Sequence, residues 1–149
     1  MGRKAGLSVR VAGLTALPAA ARKPALFERA VRLACGRASG EVSVVVLPRA
    51  KMRAMNREYL GHDYDTDVIS FRHERVPGVP ANEAPFGDVY LSAWMARRQA
   101  AELGHSVLRE SLTLAVHGAL HLVGHDDHAP AAKARMFRLQ DRILARLDA

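Results

Sequence analysis

Residues Val116–His128 read V-H-G-A-L-H-L-V-G-H-D-D-H, and the fold is decided by how this stretch is read. It holds four histidines and two aspartates in thirteen residues, on an apolar pattern of helical period. His117 and His121 are one turn apart, so their side chains share a face about 5–6 Å apart. One metal ion can bridge that distance. Gly124 is free to take positive φ, which predicts that the helix stops there and the chain turns back. Asp127 and His128 follow, placed to close on the same ion. Two donors from a helix and a third from a glycine turn describe a three-ligand site with one open position, the form of a catalytic zinc centre.

The helix that carries the pair is apolar almost all round. Val107, Leu108, Leu112, Leu114, Ala115, Val116, Ala119, Leu120 and Leu122 leave it no polar face, so it is predicted as the central helix, packed on a sheet. Two unpaired imidazoles there would be costly; a metal or firm hydrogen bonds must satisfy them. Register favours Asp127 as third ligand, zinc's preference for nitrogen favours His128, and both readings stay open. His125 and Asp126 read as turn residues or as supports for the ligands. Glu110, seven residues before His117 on the same face, either orients a ligand and moves protons or is an ordinary first-turn glutamate. The spacing is that of the H-E-x-x-H-x-x-G zinc peptidases, but Gly118 stands where their glutamate base would be. An amide hydrolase would lack its proton acceptor.

Outward from this helix, the pattern predicts strands and helices mixed rather than strictly alternating, hence an α+β class. Leu7–Val11 alternates as a half-buried strand, and Val11–Ala21 continues as a loop. Arg3 and Lys4 before an alanine-rich run mimic a leader, but Arg10, Gly13 and Pro18 interrupt it. Helices are expected at Pro24–Ala38, Arg49–Leu60, Ala93–Leu103, Val107–Val123 and Ala129–Leu147, with strands at Glu41–Leu47, Thr66–Arg72 and Phe86–Ser92. Ser106 is the expected N-cap of the central helix. His73–Pro85 carries three prolines and a glycine, so it reads as a surface loop, one that could cover a site. Met136, Leu139, Ile143 and Leu147 form the inward stripe of the last helix, beside a row of Arg135, Arg138, Arg142 and Arg146.

The 149 residues suit one domain, 1–149, with one core. No run approaches the ~18 apolar residues of a membrane span. A single cysteine, Cys35, excludes an internal disulfide and fits a reducing compartment, the cytoplasm. The net charge of +7 suits an acidic partner without identifying one.

Around the histidines the chain resembles the YbeY family of bacterial endoribonucleases and ribosomal-RNA maturation factors, whose pattern is H-G-x-L-H-L-x-G-Y-D-H. His117, Gly118, Leu120, His121, Leu122, Gly124 and Asp126 match it, His125 stands at its tyrosine and Asp127 at its last histidine. Asn56, Tyr59, Gly61, Asp63, Thr66, Asp67, Val68, Ser70 and Phe71 fit a second family pattern, N-x-x-Y-x-G-x-D-x-x-T-[DN]-V-[LI]-S-F, and Gly87-Asp88-Val89 a third. The likeness runs from about Glu41 to Leu147. It implies a small mostly parallel four-stranded sheet packed with about five helices, and a metal cleft beside the central helix. It also implies zinc-dependent cleavage of single-stranded RNA in small-subunit (16S) ribosomal-RNA 3′-end maturation and ribosome quality control, with RNA and small-subunit proteins as partners. His117 and His121 carry over as ligands; the third carries over by position to Asp127 or by residue type to His128. Thr66, Asp67, Ser70 and Arg72 are expected to line the cleft and bind substrate. The family often has an arginine after the tyrosine of N-x-x-Y, and this chain has Leu60. Either Arg53, Arg57 or Arg72 supplies the charge from nearby, or cleavage is weaker here; the rival that Leu60 keeps open is a non-catalytic ribosome-assembly factor whose metal is structural.

Overall fold

A computed structural model describes residues 6–148; Arg3 and Lys4 lie outside that range. The elements run β1 (Leu7–Ala12), α1 (Pro24–Cys35), β2 (Gly40–Leu47), α2 (Arg49–Leu60), β3 (Val68–Arg72), β4 (Pro85–Ser92), α3 (Ala93–Leu103), α4 (Val107–Leu122) and α5 (Pro130–Asp148). The sheet order is β1-β2-β4-β3. β1, β2 and β4 are parallel, while β3 lies antiparallel to β4 at the edge. The class is α+β, with a mostly parallel sheet, as expected. Between β1 and α1, where a loop is expected, the chain makes two short 3-10 turns at Leu14–Ala16 and Ala19–Ala21. They press Leu17 and Ala21 into the core, both 1% exposed. The helix predicted to Ala38 stops at Cys35 because Gly36 takes φ 60°. β3 begins at Val68 rather than Thr66, its approach fixed by the Ser92 N–H donating to the Asp67 carbonyl at 2.9 Å.

The β-branched run of β2 forms the floor of the core. Val42, Val44 and Val46 point one way with Val89 and Leu91 of β4, all buried, against α1 and α4. Cys35 is buried in this core, which pushes its thiol up to about 11 and leaves it a packing group. α4 is enclosed by α1, α3, α5, β3 and β4. Its all-round apolar composition follows from that enclosure. Ser92 and Ser106 cap α3 and α4 through their hydroxyls, accepting from Met95 N at 3.1 Å and Arg109 N at 3.0 Å. Each cap is worth about 1 kcal/mol. Among the described residues no helix is long and apolar enough to cross a membrane.

Gly118 sets how closely α4 lies on the sheet. A Cβ there would sit 2.6 Å from Val89 Cγ1, 2.9 Å from Ser70 Oγ and 3.0 Å from Val68 Cγ2. The Ser70 hydroxyl donates to the Gly118 carbonyl at 2.9 Å, tying β3 to the helix at the same level. Position 118 therefore faces the sheet. The missing peptidase glutamate is a consequence of packing as well as of chemistry, since no side chain fits there. Gly118→Ala should destabilise the protein by about 1–3 kcal/mol, the usual cost of overpacking. Urea unfolding measures this directly, and a parent-like midpoint would show that α4 does not press on β3 and β4 as described.

Candidate metal centre

His117 and His121 leave α4 on the same side, their ring centroids 4.8 Å apart. The two Nε2 atoms are 3.2 Å apart. After Leu122 the chain closes the helix with a doubly bonded turn: His125 N–H donates to the Leu120 carbonyl and Gly124 N–H to that of His121, each at 3.1 Å. Gly124 takes φ 98°, the positive value expected of it. The turn swings Asp127 back over the histidines. Its Oδ2 is 3.6 Å from His117 Nε2 and its Oδ1 is 4.0 Å from His121 Nε2. Donor atoms of His117, His121 and Asp127 all lie within 4.8 Å of one another. His128 is exposed and lies outside this group; its N–H bonds to Asp126 Oδ1 at 3.1 Å, which holds the turn.

The donor set fits a divalent transition ion. Two imidazole nitrogens and one carboxylate are ligands zinc accepts. At the usual Zn–N distances of about 2.0–2.1 Å and a tetrahedral angle, two nitrogens stand roughly 3.3 Å apart. The observed 3.2 Å requires almost no adjustment, while Asp127, whose nearest oxygens stand 3.6 Å from His117 Nε2 and 4.0 Å from His121 Nε2, has to move inward to close on the same ion.

The tautomer of His117 is fixed from behind. Its Nδ1 lies 3.0 Å from Gln140 Oε1, an acceptor, so Nδ1 carries the proton and Nε2 presents its lone pair to the centre. Gln140 is only 5% exposed. The sequence reading did not name it. The signal was there: Gln140 is four residues after Met136 and three before Ile143, a polar residue inside the buried stripe of α5. Glu110, by contrast, does not reach the histidines. It is buried and sits 2.7 Å from His105 Nε2. His121 is held below the ordinary histidine value, first by burial and then by the neighbouring His117, with Asp127 and a bond to the His125 backbone opposing. Burial therefore favours its neutral imidazole, the form that binds metal.

A cleft of about 510 Å³ opens in front of the donors, between β3, α4 and the Asp127 turn. Asp67, Ser70 and Arg72 line it, together with Leu60. Thr66 sits half-buried just before β3, outside that lining. Asp67 accepts from Gln99 Nε2 at 3.1 Å, and the Ser70 hydroxyl is committed to Gly118. Arg72 donates to the Leu122 carbonyl at 3.1 Å and lies over the Phe86 ring at 4.0 Å, which fixes its guanidinium on the rim. Arg53 and Arg57 are directed elsewhere, to Asp63 at 3.3 and 3.5 Å. Asn56, buried on α2, donates to the Tyr64 carbonyl at 2.9 Å and so shapes the loop before β3. The 73–84 segment does not cover this cleft; its residues are not among the lining.

Comparison with known proteins places this arrangement. The sequence model of a family described as "Endoribonuclease YbeY" matches residues 19–148. A protein named Endoribonuclease YbeY from Elusimicrobium minutum is 38% identical over 136 residues, covering 89% of this chain and 94% of its own. Its namesake from Halorhodospira halophila is 42% identical over 138 residues, covering 92% and 88%. The solution structure of a Thermotoga maritima protein superposes with a TM-score of 0.58 over 93% of this chain and 88% of its own, at 23% identity, a likeness of fold.

The Gln140 bond carries a consequence for affinity. Gln140→Leu keeps the volume but leaves His117 Nδ1 without its acceptor, so divalent-ion affinity should fall about 10- to 100-fold. Competition against a chromogenic chelator measures it; an unchanged affinity would mean that Gln140 does not orient His117.

Proposed function

The chain belongs to the YbeY endoribonuclease family, and we propose that it is itself a metal-dependent endoribonuclease selective for single-stranded RNA. The observation that carries the reading is the convergence of His117, His121 and Asp127 at the base of a cleft rimmed by Arg72. On this reading its substrate is the small-subunit ribosomal RNA, at the 16S 3′ end. Its work in ribosome quality control would be done in the cytoplasm, beside small-subunit proteins. Residues 1–149 act as one such domain. The metal is Zn²⁺, one ion per chain, held by His117, His121 and Asp127 rather than His128.

When bound, such an ion supplies Lewis acidity toward a phosphoryl oxygen and makes water a stronger acid. The remaining work falls to the chain. Gln140 keeps His117 in the tautomer that can donate its Nε2 lone pair. Arg72, with one of its five N–H groups spent on Leu122, offers the rest to a backbone phosphate and supplies the cation that Leu60 cannot. Asp67, steadied by Gln99, is placed to accept a hydrogen bond from a ribose hydroxyl. Ser70 acts indirectly, by holding β3 against α4. Glu110, paired with His105, supports α4 and stays out of the proton path.

The second reading, an assembly factor with a structural metal, is favoured by Leu60, which stands where the family often has an arginine. The two readings part on RNA integrity. Purified protein should cleave a single-stranded 16S 3′-end RNA, spare the same sequence in a duplex, and lose cleavage on chelation. His121→Ala and Asp127→Ala should abolish it, while His128→Ala retains it. Arg72→Gln should raise KM by about 10-fold, the loss of one charge-assisted contact of ~1.5 kcal/mol. Intact RNA with tight small-subunit binding would support the assembly factor. Cleavage by His121→Ala at the parent rate would place the activity outside this centre.

A further inference from the structure

A second cleft, of about 530 Å³, lies on the far side of the same donors, between α3, α4 and α5. It shares Asp67, His117 and Asp127 with the first, so the metal centre stands on the partition between two clefts of nearly equal volume. Each falls in the range of small-ligand pockets, about 300–1,000 Å³. At the floor of the second cleft Glu110 is hydrogen-bonded to His105 Nε2 at 2.7 Å, and Asp141, Arg109 and Lys133 also line it.

Its outer wall is different. Phe137 is 40% exposed, although Phe27 in the core is fully buried. On α5 it falls outside the inward stripe of Met136, Gln140, Ile143 and Leu147, on the flank turned to the metal centre. Its ring centroid is 6.3 Å from that of His117, tilted by 38°. One turn earlier, Lys133 places its ammonium 5.9 Å from the Phe137 ring centroid. A half-exposed aromatic face beside a cation is what sequence-tolerant single-strand binding uses: the ring stacks a base and the cation meets the backbone.

We infer that RNA occupies both clefts, and that Phe137 and Lys133 form a nucleotide subsite beside the scissile bond, the base stacked on the ring and the phosphate on the ammonium. The inference rests on the endoribonuclease reading and adds the path of the strand. With nucleotides on either side of His117 and Asp127, a bond inside a strand can be presented without a free end. A duplex would not deliver one base to Phe137 without unpairing it, which gives strand selectivity a physical source.

Two measurements test this on the metal-loaded protein. In cleavage of a short single-stranded RNA, Phe137→Ala should raise KM about 5- to 100-fold with little change in kcat, the size of one lost base stack. Phe137→Trp should restore it, which a packing role would not allow. Lys133→Gln should reduce the salt dependence of log KM by about 0.7, one phosphate contact on a single strand. Metal content and melting temperature should stay at parent values. Binding of a non-cleavable 2′-O-methyl oligomer, followed by fluorescence anisotropy, should show the same loss in Phe137→Ala. A parent that cleaves with KM indifferent to Phe137, or a Trp variant as impaired as Ala, overturns the subsite and leaves the nuclease reading standing. A parent that binds through Phe137 without cleaving overturns the nuclease reading and leaves the subsite. Neither binding nor cleavage overturns both.

Discussion

The structure depends on two imidazoles held in a helix with almost no solvent face. Leu114, Ala115, Val116, Ala119 and Leu120 are all buried around His117, and α4 has neighbours on every side. Polar groups at such a position need partners, or they destabilise the fold. His117 finds one at Gln140, and that bond turns its lone pair toward His121. Two nitrogens at 3.2 Å cannot both present lone pairs with nothing between them; a proton or a cation must lie there. Asp127 adds a negative charge to the same point, and burial keeps His121 from taking up a proton near neutrality. Together these groups form a donor set on which a divalent ion would close. The local fold serves that set: Gly118 lets α4 lie against the sheet, and Gly124 brings Asp127 back.

Much of this could be read along the chain, because the signals were local. The apolar surround of α4, the i,i+4 histidines and the helix-ending glycine each follow from period and backbone freedom. So do the valine run of β2 and the hydroxyl caps at the starts of α3 and α4. What escaped reading depends on contacts between distant segments. Gln140 is 23 residues from His117, and only the packing of α5 on α4 makes them partners. Glu110 has the right spacing to His117 on the helix, yet the turn before α4 gives it His105 instead. Gly118 read as a lost base, whereas its reason lies in Val68, Ser70 and Val89 on two strands. The choice between Asp127 and His128 depended on one residue of turn geometry, which spacing does not resolve. The loop at His73–Pro85 had the composition of a lid, but composition carries no direction, and the chain takes it elsewhere.

Leu60 brings no charge to the cleft, and Arg72 does. Leu60 ends α2 on the rim, and two arginines earlier on that helix are drawn to Asp63. Arg72 comes from β3 instead, pinned by a carbonyl and an aromatic face. A guanidinium held this way loses less freedom on meeting a phosphate than one on a mobile side chain. The row of Arg135, Arg138, Arg142 and Arg146 lies exposed on α5 and lines neither cleft. It adds to the net charge of +7 but stands away from the metal centre.

The most direct test is the zinc-edge X-ray absorption spectrum of protein purified without added metal. This account predicts a first shell of two imidazole nitrogens at about 2.0–2.1 Å with carboxylate and solvent oxygen completing a four-coordinate site. A shell without imidazole scattering, or one closed by a third imidazole and leaving no place for solvent, would contradict it.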